Sequence, residues 1–448
     1  MKIKIIDSIH CELDKEALAK VKPFLSYKGK YGKPTKYRTK IVQYDKTILD
    51  KNLLLTGLLP KVIRQFPNIV IDGELEKLKP ISKPHLKGIK PRPDQKRLVD
   101  EAIRLQRGVL LSPTGSGKTI VAMLLLSCFP EDTILFLCHN LSIIAQTKKE
   151  MEKFGFEDIQ VLGGGNNEFD DSKRITLATI QTFAGLDPDD YSWFFDITVI
   201  DEAHHVRSKK GLYAKVMGVN QSPMKIGLTA TLPPDTEGLL SLEGYIGPVI
   251  GEVTVQEGVE KNILAKPKIK LIPVPYSNSV GEFFKYHQIY QYGIVENRSR
   301  NRLILEEAKN QIDADKTVLI MVKEIAHGDN IVDMAKSLFK MDVIFVQGKT
   351  EGETRDLIQN TLDKKLIKCV VCTAVWREGI NVKSLNTIIL ALGGKSAIQT
   401  AQALGRGLRV DPESNKISVL LIDMLDPFKY LAQHSVARIS LYIKNGWL

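Results

Sequence analysis

Short apolar runs alternate with helix-periodic stretches over most of this chain. Between residues 87 and 250 the runs fall at 108–111, 133–138, 174–180, 197–200 and 225–229. Between 251 and 448 they fall at 316–322, 341–346, 367–373, 386–392 and 416–422. Runs without internal alternation fit strands buried on both faces of a parallel sheet. Their alternation with helical stretches predicts two doubly wound α/β domains. The first part reads differently. Met1 to Ile9 alternates like a strand, Asp14 to Phe24 reads as a short helix and residues 51–70 as another, before the Pro- and Lys-rich linker Lys79–Pro84. The expected domains are therefore 1–86, small and α+β, then 87–250 and 251–448. Near the end, Leu431, Val436, Ile439 and Tyr442 stand near helical spacing, which predicts a helix packed through those positions.

Composition adds two points. The 448 residues, 43% hydrophobic, suit about three globular domains. No apolar run approaches the roughly 20 residues of a membrane span, and the N-terminal run is too short for a signal peptide, so a cytoplasmic protein is expected. The formal net charge of +11 is unevenly placed. Residues 1–90 hold 20 Lys/Arg against 9 Asp/Glu, and the remainder balances at 43 of each. A basic segment on otherwise neutral domains points to a polyanion, with lysine-rich solubility as the alternative. Within it, Ser26 to Lys40 has no acidic residue and interleaves Lys28, Lys30, Lys36 and Arg38 with Tyr27, Tyr31 and Tyr37. Such a segment meets phosphates and stacks on bases, or forms a basic hairpin whose tyrosines pack on the core. Among the five cysteines, Cys369 and Cys372 have metal-site spacing. They fall inside an apolar strand, on opposite faces, and read as core.

The candidate chemistry centres on Ser112-Pro113-Thr114-Gly115-Ser116-Gly117-Lys118-Thr119, between an apolar strand and an apolar helix. A loop of this composition turns successive N–H groups from Thr114 to Thr119 toward one point, at a helix start, where phosphate is bound. Lys118 reaches the β- and γ-phosphates and the Thr119 hydroxyl ligates Mg²⁺. Ser112 stands where the pattern G-x-x-x-x-G-K-[ST] has its first glycine. A second strand, Thr198-Val199-Ile200, ends in Asp201 and Glu202. Asp201 suits the same metal and Glu202 the attacking water. Leu392-Gly393-Gly394-Lys395-Ser396 also lies between strand and helix, but it lacks the loop's glycine spacing and reads as a strand-end turn.

Asp201-Glu202-Ala203-His204 resembles the D-E-A-H box of superfamily 2 helicases, and the rest of that family's motif series follows in order. Arg92 and Gln95 lie in a segment similar to the adenine-reading motif. His139, after Leu137-Cys138, stands where motif Ia meets the nucleic-acid backbone, without the usual Pro-Thr. Thr179 belongs to a motif Ib-like segment, and Gly227 to Thr231 resembles motif III. Thr373 through Asn381 resembles motif V, with Gly379 kept and Asn381 where many members carry Asp. Gln402 to Arg409 matches the Q-x-x-G-R-x-x-R of motif VI. The resemblance implies two RecA-like domains, ATP and Mg²⁺ as cofactors, and Arg406 and Arg409 as arginine fingers.

A narrower likeness is to phage UvsW-type DNA helicases. It rests on a basic, aromatic hairpin at Phe24 to Tyr44, a Lys-x-x-x-His-Gly element at Lys323 to Gly328, and a final helical stretch at Pro427 to Asn445. It implies an ATP-driven monomer that remodels branched or duplex DNA by branch migration, fork regression and unwinding of D-loops or R-loops, in the host cytoplasm if phage-encoded. An RNA helicase, or a nucleic-acid-binding scaffold with a silent motor, are the competing readings.

Overall fold

The computed structural model describes residues 1–34, 39–113, 115–261, 266–350, 352–373, 382, 384–393, 418–444 and 446–448. Contacts divide the chain into two compact units, Met1–Ser112 with Gly117–Val253, and Thr254–Leu448 with Pro113–Ser116.

In the first unit the N-terminal part is α+β. Strands β1 (Lys2–Ile5), β2 (His10–Leu13), β5 (Leu53–Leu55) and β6 (Val70–Asp72) form a sheet of order β5-β2-β1-β6. Helix Lys15–Phe24 starts where Asp14 accepts the Ala17 N–H at 2.6 Å, a side-chain cap of the usual kind. The stretch 51–70 is α-helical only over Leu59–Gln65, after a 3-10 turn at Thr56–Leu58, with Pro60 in the helix's first turn. Ahead of it, Leu53–Leu55 is drawn into the sheet by pairing with β2. Strands β3 (Ser26–Pro34) and β4 (Thr39–Thr47) pair with each other alone, antiparallel from Ser26↔Thr47 to Pro34↔Thr39. Nine residues at the strand rise give a ribbon about 30 Å long.

The following sheet has seven parallel strands in the order β13-β7-β12-β11-β8-β10-β9. They are β7 (Arg107–Leu111), β8 (Ile134–Cys138), β9 (Ile159–Leu162), β10 (Ile175–Thr179), β11 (Ile197–Asp201), β12 (Met224–Thr229) and β13 (Val249–Glu252). Successive residues feed opposite cores. Leu110, Phe136 and Val199 enter one layer, and Val109, Leu137 and Ile200 the other. Helix Lys118–Leu126 is buried on every side from Val121 to Leu126, so it forms the centre of the first layer.

The N-terminal part is docked on this domain. Leu240 enters the core of Ile3, Val21 and Leu54. Lys61 meets Glu243 at 2.6 Å, Lys46 meets Glu237 at 3.7 Å, and the Ser8 N–H and hydroxyl both donate to Gln221. Arg107, at the head of β7, donates to the Ser8 carbonyl. Tyr27, at the ribbon's base, is pushed up to about 12 by burial and by Glu237.

The second unit has six parallel strands, β14 (Lys266–Pro273), β15 (Thr317–Met321), β16 (Ile344–Val346), β17 (Cys369–Cys372), β18 (Leu385–Leu390) and β19 (Ser418–Leu425), in the order β14-β19-β18-β15-β17-β16. Cys369 and Cys372 enter opposite core layers, as their strand spacing requires. Helix Lys429–Lys444 buries Leu431, Ser435, Arg438 and Tyr442, and leaves Val436 63% exposed. Its anchor is polar. The Arg438 guanidinium and the Tyr442 hydroxyl both donate to Asp423 of β19, at 2.8 Å each. A second buried pair, Arg300 with Asp426 at 2.7 Å, closes the same end of β19. Removing one member of such a pair costs roughly 3–5 kcal/mol, because the other is left buried and charged.

The tight dock makes a direct prediction. A Cβ on Gly57 would overlap the Glu243 carbonyl oxygen. Gly57→Val is expected to destabilise the first unit by about 1–3 kcal/mol. Its melting temperature should fall by roughly 2–4 °C for each kcal/mol, read by differential scanning calorimetry.

Candidate functional site

In the seven-stranded sheet β7, β12 and β11 are neighbours, with Leu111 opposite Thr229 and Leu228 opposite Asp201. Their C-terminal ends therefore lie side by side, and each carries one element of the site. The residues after β7 form the glycine loop. Gly115 has φ 87° and Gly117 φ 90°, left-handed values that a side chain disfavours. Ser116 Oγ donates to the Pro113 carbonyl at 2.7 Å, closing the turn. Gly117 opens helix Lys118–Leu126, and a Cβ there would stand 3.0 Å from the Gln95 amide. Gln95 accepts the Arg92 N–H at 3.1 Å, while the Arg92 guanidinium is held by Asp94 at 2.9 and 3.1 Å. So helix Pro93–Leu105 begins beside the glycine loop. Lys118 donates to the Ser112 carbonyl at 3.3 Å, and Thr119 is the next residue of the helix.

β11 ends in the carboxylate pair. Glu202 takes left-handed backbone angles, φ 48° and ψ 49°, a strain on the order of 1–3 kcal/mol. Burial, then repulsion from Glu202, pushes Asp201 up to about 6. Burial pushes Glu202 the same way, but Lys118 and then the His204 hydrogen bond outweigh it and hold Glu202 well below the usual range. The two acids thus divide into a reluctant and a committed anion, with Lys118 drawing on both.

His204 links the pair to β12. Its Nδ1 lies 3.0 Å from Thr229 Oγ1 and 3.2 Å from Glu202 Oε2. Thr229 donates its one hydroxyl proton to the Thr231 carbonyl at 2.8 Å, so it accepts from His204 and Nδ1 carries the hydrogen. Beyond His204 the rings of His205 and His139 follow, at centroid distances of 4.4 and 4.5 Å. His205 is half-buried here. His139, expected at nucleic acid, lies near enough to bear on both carboxylates. The spacing concealed this, because His139 follows β8, which neighbours β11 and ends at the same edge.

The other candidates are dispersed. Thr179 is buried and caps helix Ile180–Phe183. Thr373 is buried after β17, its N–H on the Val346 carbonyl. Lys323 is exposed after β15, with Nζ 4.7 Å from the Tyr290 ring centroid. Lys28 on the ribbon is exposed and pairs with Asp45 at 2.7 Å. Lys30 and Tyr31 stand opposite Gln43 and Val42 in the β3–β4 register. Thr114, Lys36, Arg38, Gly379, Asn381, Gln402, Arg406 and Arg409 lie outside the described residues.

The donor chemistry fits a nucleotide with Mg²⁺. Left-handed glycines at a helix start suit phosphate, and the Thr119 hydroxyl with the Asp201 carboxylate gives two hard oxygen ligands. No group of three or more possible ligands occurs among the described residues. Two hard oxygens suit Mg²⁺, which keeps waters and phosphate oxygens in the rest of its shell.

Comparison with known proteins agrees with this geometry. Residues 88–234 match the family model "Type III restriction enzyme, res subunit", and residues 300–411 match "Helicase conserved C-terminal domain". The chain is 26% identical over 384 residues to the ATP-dependent DNA helicase uvsW of Enterobacteria phage T4, covering 80% of this chain and 76% of that protein. It is 26% identical over 355 residues to the DNA 3'-5' translocase XPB2 of Sulfurisphaera tokodaii, covering 72% and 79%. In fold it is similar to a fragment of a putative HsdR subunit of a type I restriction enzyme from Vibrio vulnificus YJ016. That match has a TM-score of 0.58 at 17% identity and covers 75% of this chain and 63% of that one.

The Asp201 shift sets a pH dependence. To hold a metal Asp201 must be ionised, so with Asp201 as a ligand Mg²⁺-dependent nucleotide affinity should fall as pH drops through about 6, by up to tenfold per unit. Titration of a non-hydrolysable ATP analogue at pH 5 to 8, with Mg²⁺ and with EDTA, checks this. The slope is expected with the metal only, and Asp201→Asn should abolish it.

Proposed function

The chain belongs to the superfamily 2 DNA helicases and translocases, with UvsW-like relatives, and on that premise we propose that it is a monomeric ATP-driven motor that remodels branched DNA. ATP hydrolysis is the chemistry, and Mg²⁺, when bound, neutralises charge on the phosphates. Residues 87–250 bind ATP, residues 251–448 form the second motor domain, and residues 1–86 hold DNA. The Gly115–Thr119 backbone cradles the phosphates, and Lys118 neutralises their charge. Thr119 and Asp201 hold the metal, and Gln95, with Arg92 beside it, reads the base. Glu202, kept anionic by Lys118 and His204, orients the attacking water and takes its proton. Arg406 and Arg409, with Gln402 nearby, stabilise the transferring phosphoryl group. Gly379 and Asn381 belong to the same nucleotide site.

The His204–Thr229 hydrogen bond supports the motor reading most directly. It ties the acid pair to the segment Gly227–Thr231, so a change at the phosphate end of β11 is felt on β12. The branched-DNA reading is supported by the ribbon β3–β4. Its base is fixed on the ATP-binding domain through Tyr27 and Lys46, and beyond that base Gln43, Tyr44 and Asp45 are exposed. Lys28, Lys30, Tyr31, Lys36 and Arg38 are the ribbon residues assigned to DNA. His139, Thr179, Lys323 and Thr373 are assigned to the strand along the motor. Such a motor works where the DNA is, in the cytoplasm, the host's if the gene is a phage's.

Lys118→Ala and Glu202→Gln are expected to lower DNA-stimulated ATP turnover at least 100-fold, with Glu202→Gln still binding nucleotide. The measurement is phosphate release on forked DNA. Replacing residues 29–44 by a two-residue turn leaves the packed base intact. It should weaken fork binding and fork unwinding at least tenfold while basal ATP turnover stays within twofold. A shortened protein that unwinds forks normally would remove the ribbon from the account.

A further inference from the structure

Away from the nucleotide site, the second unit carries exposed aromatic side chains that no core requires. Phe284 is 80% exposed and Tyr276 62%, and Tyr286, Tyr292 and Tyr430 are exposed too. They lie on two segments, one following β14 and the other following β19. These strands are parallel neighbours over their whole length, so both segments leave from the same, C-terminal edge of the sheet. Lys323 follows β15 and Thr373 follows β17 at that edge, where open parallel sheets bind ligands. Tyr290 braces the first segment there. Its hydroxyl donates to the Leu392 carbonyl beyond β18 at 2.7 Å, and Lys323 lies over its ring.

A cavity of about 370 Å³ opens among Tyr276, Phe283 and Tyr292. Phe283 and Tyr292 are stacked almost in parallel, with centroids 4.7 Å apart and planes 15° from each other. The Tyr276 ring lies against Phe428 at 5.3 Å and over Gly281, where any Cβ would collide with its hydroxyl. The polar rim includes Ser277, Asn297 and Arg298. Aromatic walls with hydrogen-bonding groups at the rim match a nucleobase, which has two π faces and a polar edge. The volume falls in the range of small-molecule sites, roughly 300–1,000 Å³.

Charge narrows the ligand further. Lys429 Nζ lies 4.1 Å from the Phe284 ring centroid, Lys285 and Arg298 stand on the segment after β14, and Lys323 follows β15 at the same sheet edge. Glu282, Glu296 and Glu324 nearly balance them. Glu296 accepts the Gln291 amide at 2.6 Å, and Glu324 lies 3.9 Å from Lys323. A near-neutral surface with cations over ring faces is poorly suited to a duplex backbone, whose recognition needs a net excess of cations. It is well suited to stacking.

We propose that this cavity is a stacking site for an unpaired base of the DNA strand that the motor separates or displaces. The assignment rests on the reading of the chain as a DNA motor. The test uses the whole chain, the double variant Tyr276→Ala with Tyr292→Leu, and fluorescence anisotropy of a labelled single strand and a blunt duplex of equal length. Single-strand affinity should fall about tenfold, the effect of losing an aromatic stack, while duplex affinity stays within twofold. A 2-aminopurine in the single-stranded arm of a fork should be quenched by the wild-type protein and not by the variant. Tyr276→Phe with Tyr292→Phe keeps both rings and must keep both signals. If the phenylalanine variant loses them as well, the hydroxyls and not ring stacking carry the effect, and the proposal fails. Unchanged single-strand affinity and quenching in the first variant would also overturn it, leaving the cavity to a side chain of a protein partner. Wild-type ATP turnover that ignores DNA would instead overturn the motor reading itself.

Discussion

Two consecutive carboxylates at the end of one strand repel each other, and partial burial adds to the cost of ionising both. Lys118, at the start of a helix two strands away, offsets that cost for Asp201 and Glu202 alike. The ion triad depends on strand order. Only a sheet in which β12 separates β7 from β11 sets the glycine loop, the acid pair and Thr229 side by side at one edge. Most of the first unit can be understood as what holds that edge in place: the helix Lys118–Leu126 beneath it, buried from Val121 onward, Pro93–Leu105 beside the loop, and the N-terminal part docked at the head of β7.

The same triad explains how one site divides its work. Equal carboxylates would share a proton between them. Here Lys118 favours the charged form of Glu202, with His204 Nδ1 3.2 Å from its Oε2, so Glu202 holds its charge while Asp201 gives up its proton only near pH 6. That division suits the proposed roles: a base must be committed, and a ligand need only ionise when a cation arrives. The donating Nδ1 of His204 is fixed in turn by Thr229, so the state of the acid pair and the position of β12 are one mechanical unit.

Much of this was legible in the residues themselves. Each apolar run read as a strand in the two α/β domains holds one, because a strand buried on both faces has no polar side to show. In those two domains the strands that went unread, β9, β13 and β14, all lie at sheet edges. There Gln160, Gly251, Lys268 and Lys270 break the apolar run. The phosphate loop and acid pair were readable because phosphate chemistry demands fixed residue types at fixed spacing. The three-histidine row was not, since it is assembled from two strands 60 residues apart in sequence whose adjacency only the topology reveals. The last helix misled for another reason. Its buried face is set by Arg438 and Tyr442 on Asp423, so Val436 was free to face solvent.

The most direct measurement is ATP turnover by the whole chain on single-stranded, duplex, forked and four-way DNA, side by side at one salt concentration. The account predicts slow turnover without DNA and the fastest turnover on forked or four-way substrates. Turnover that is the same with every DNA as with none would contradict it.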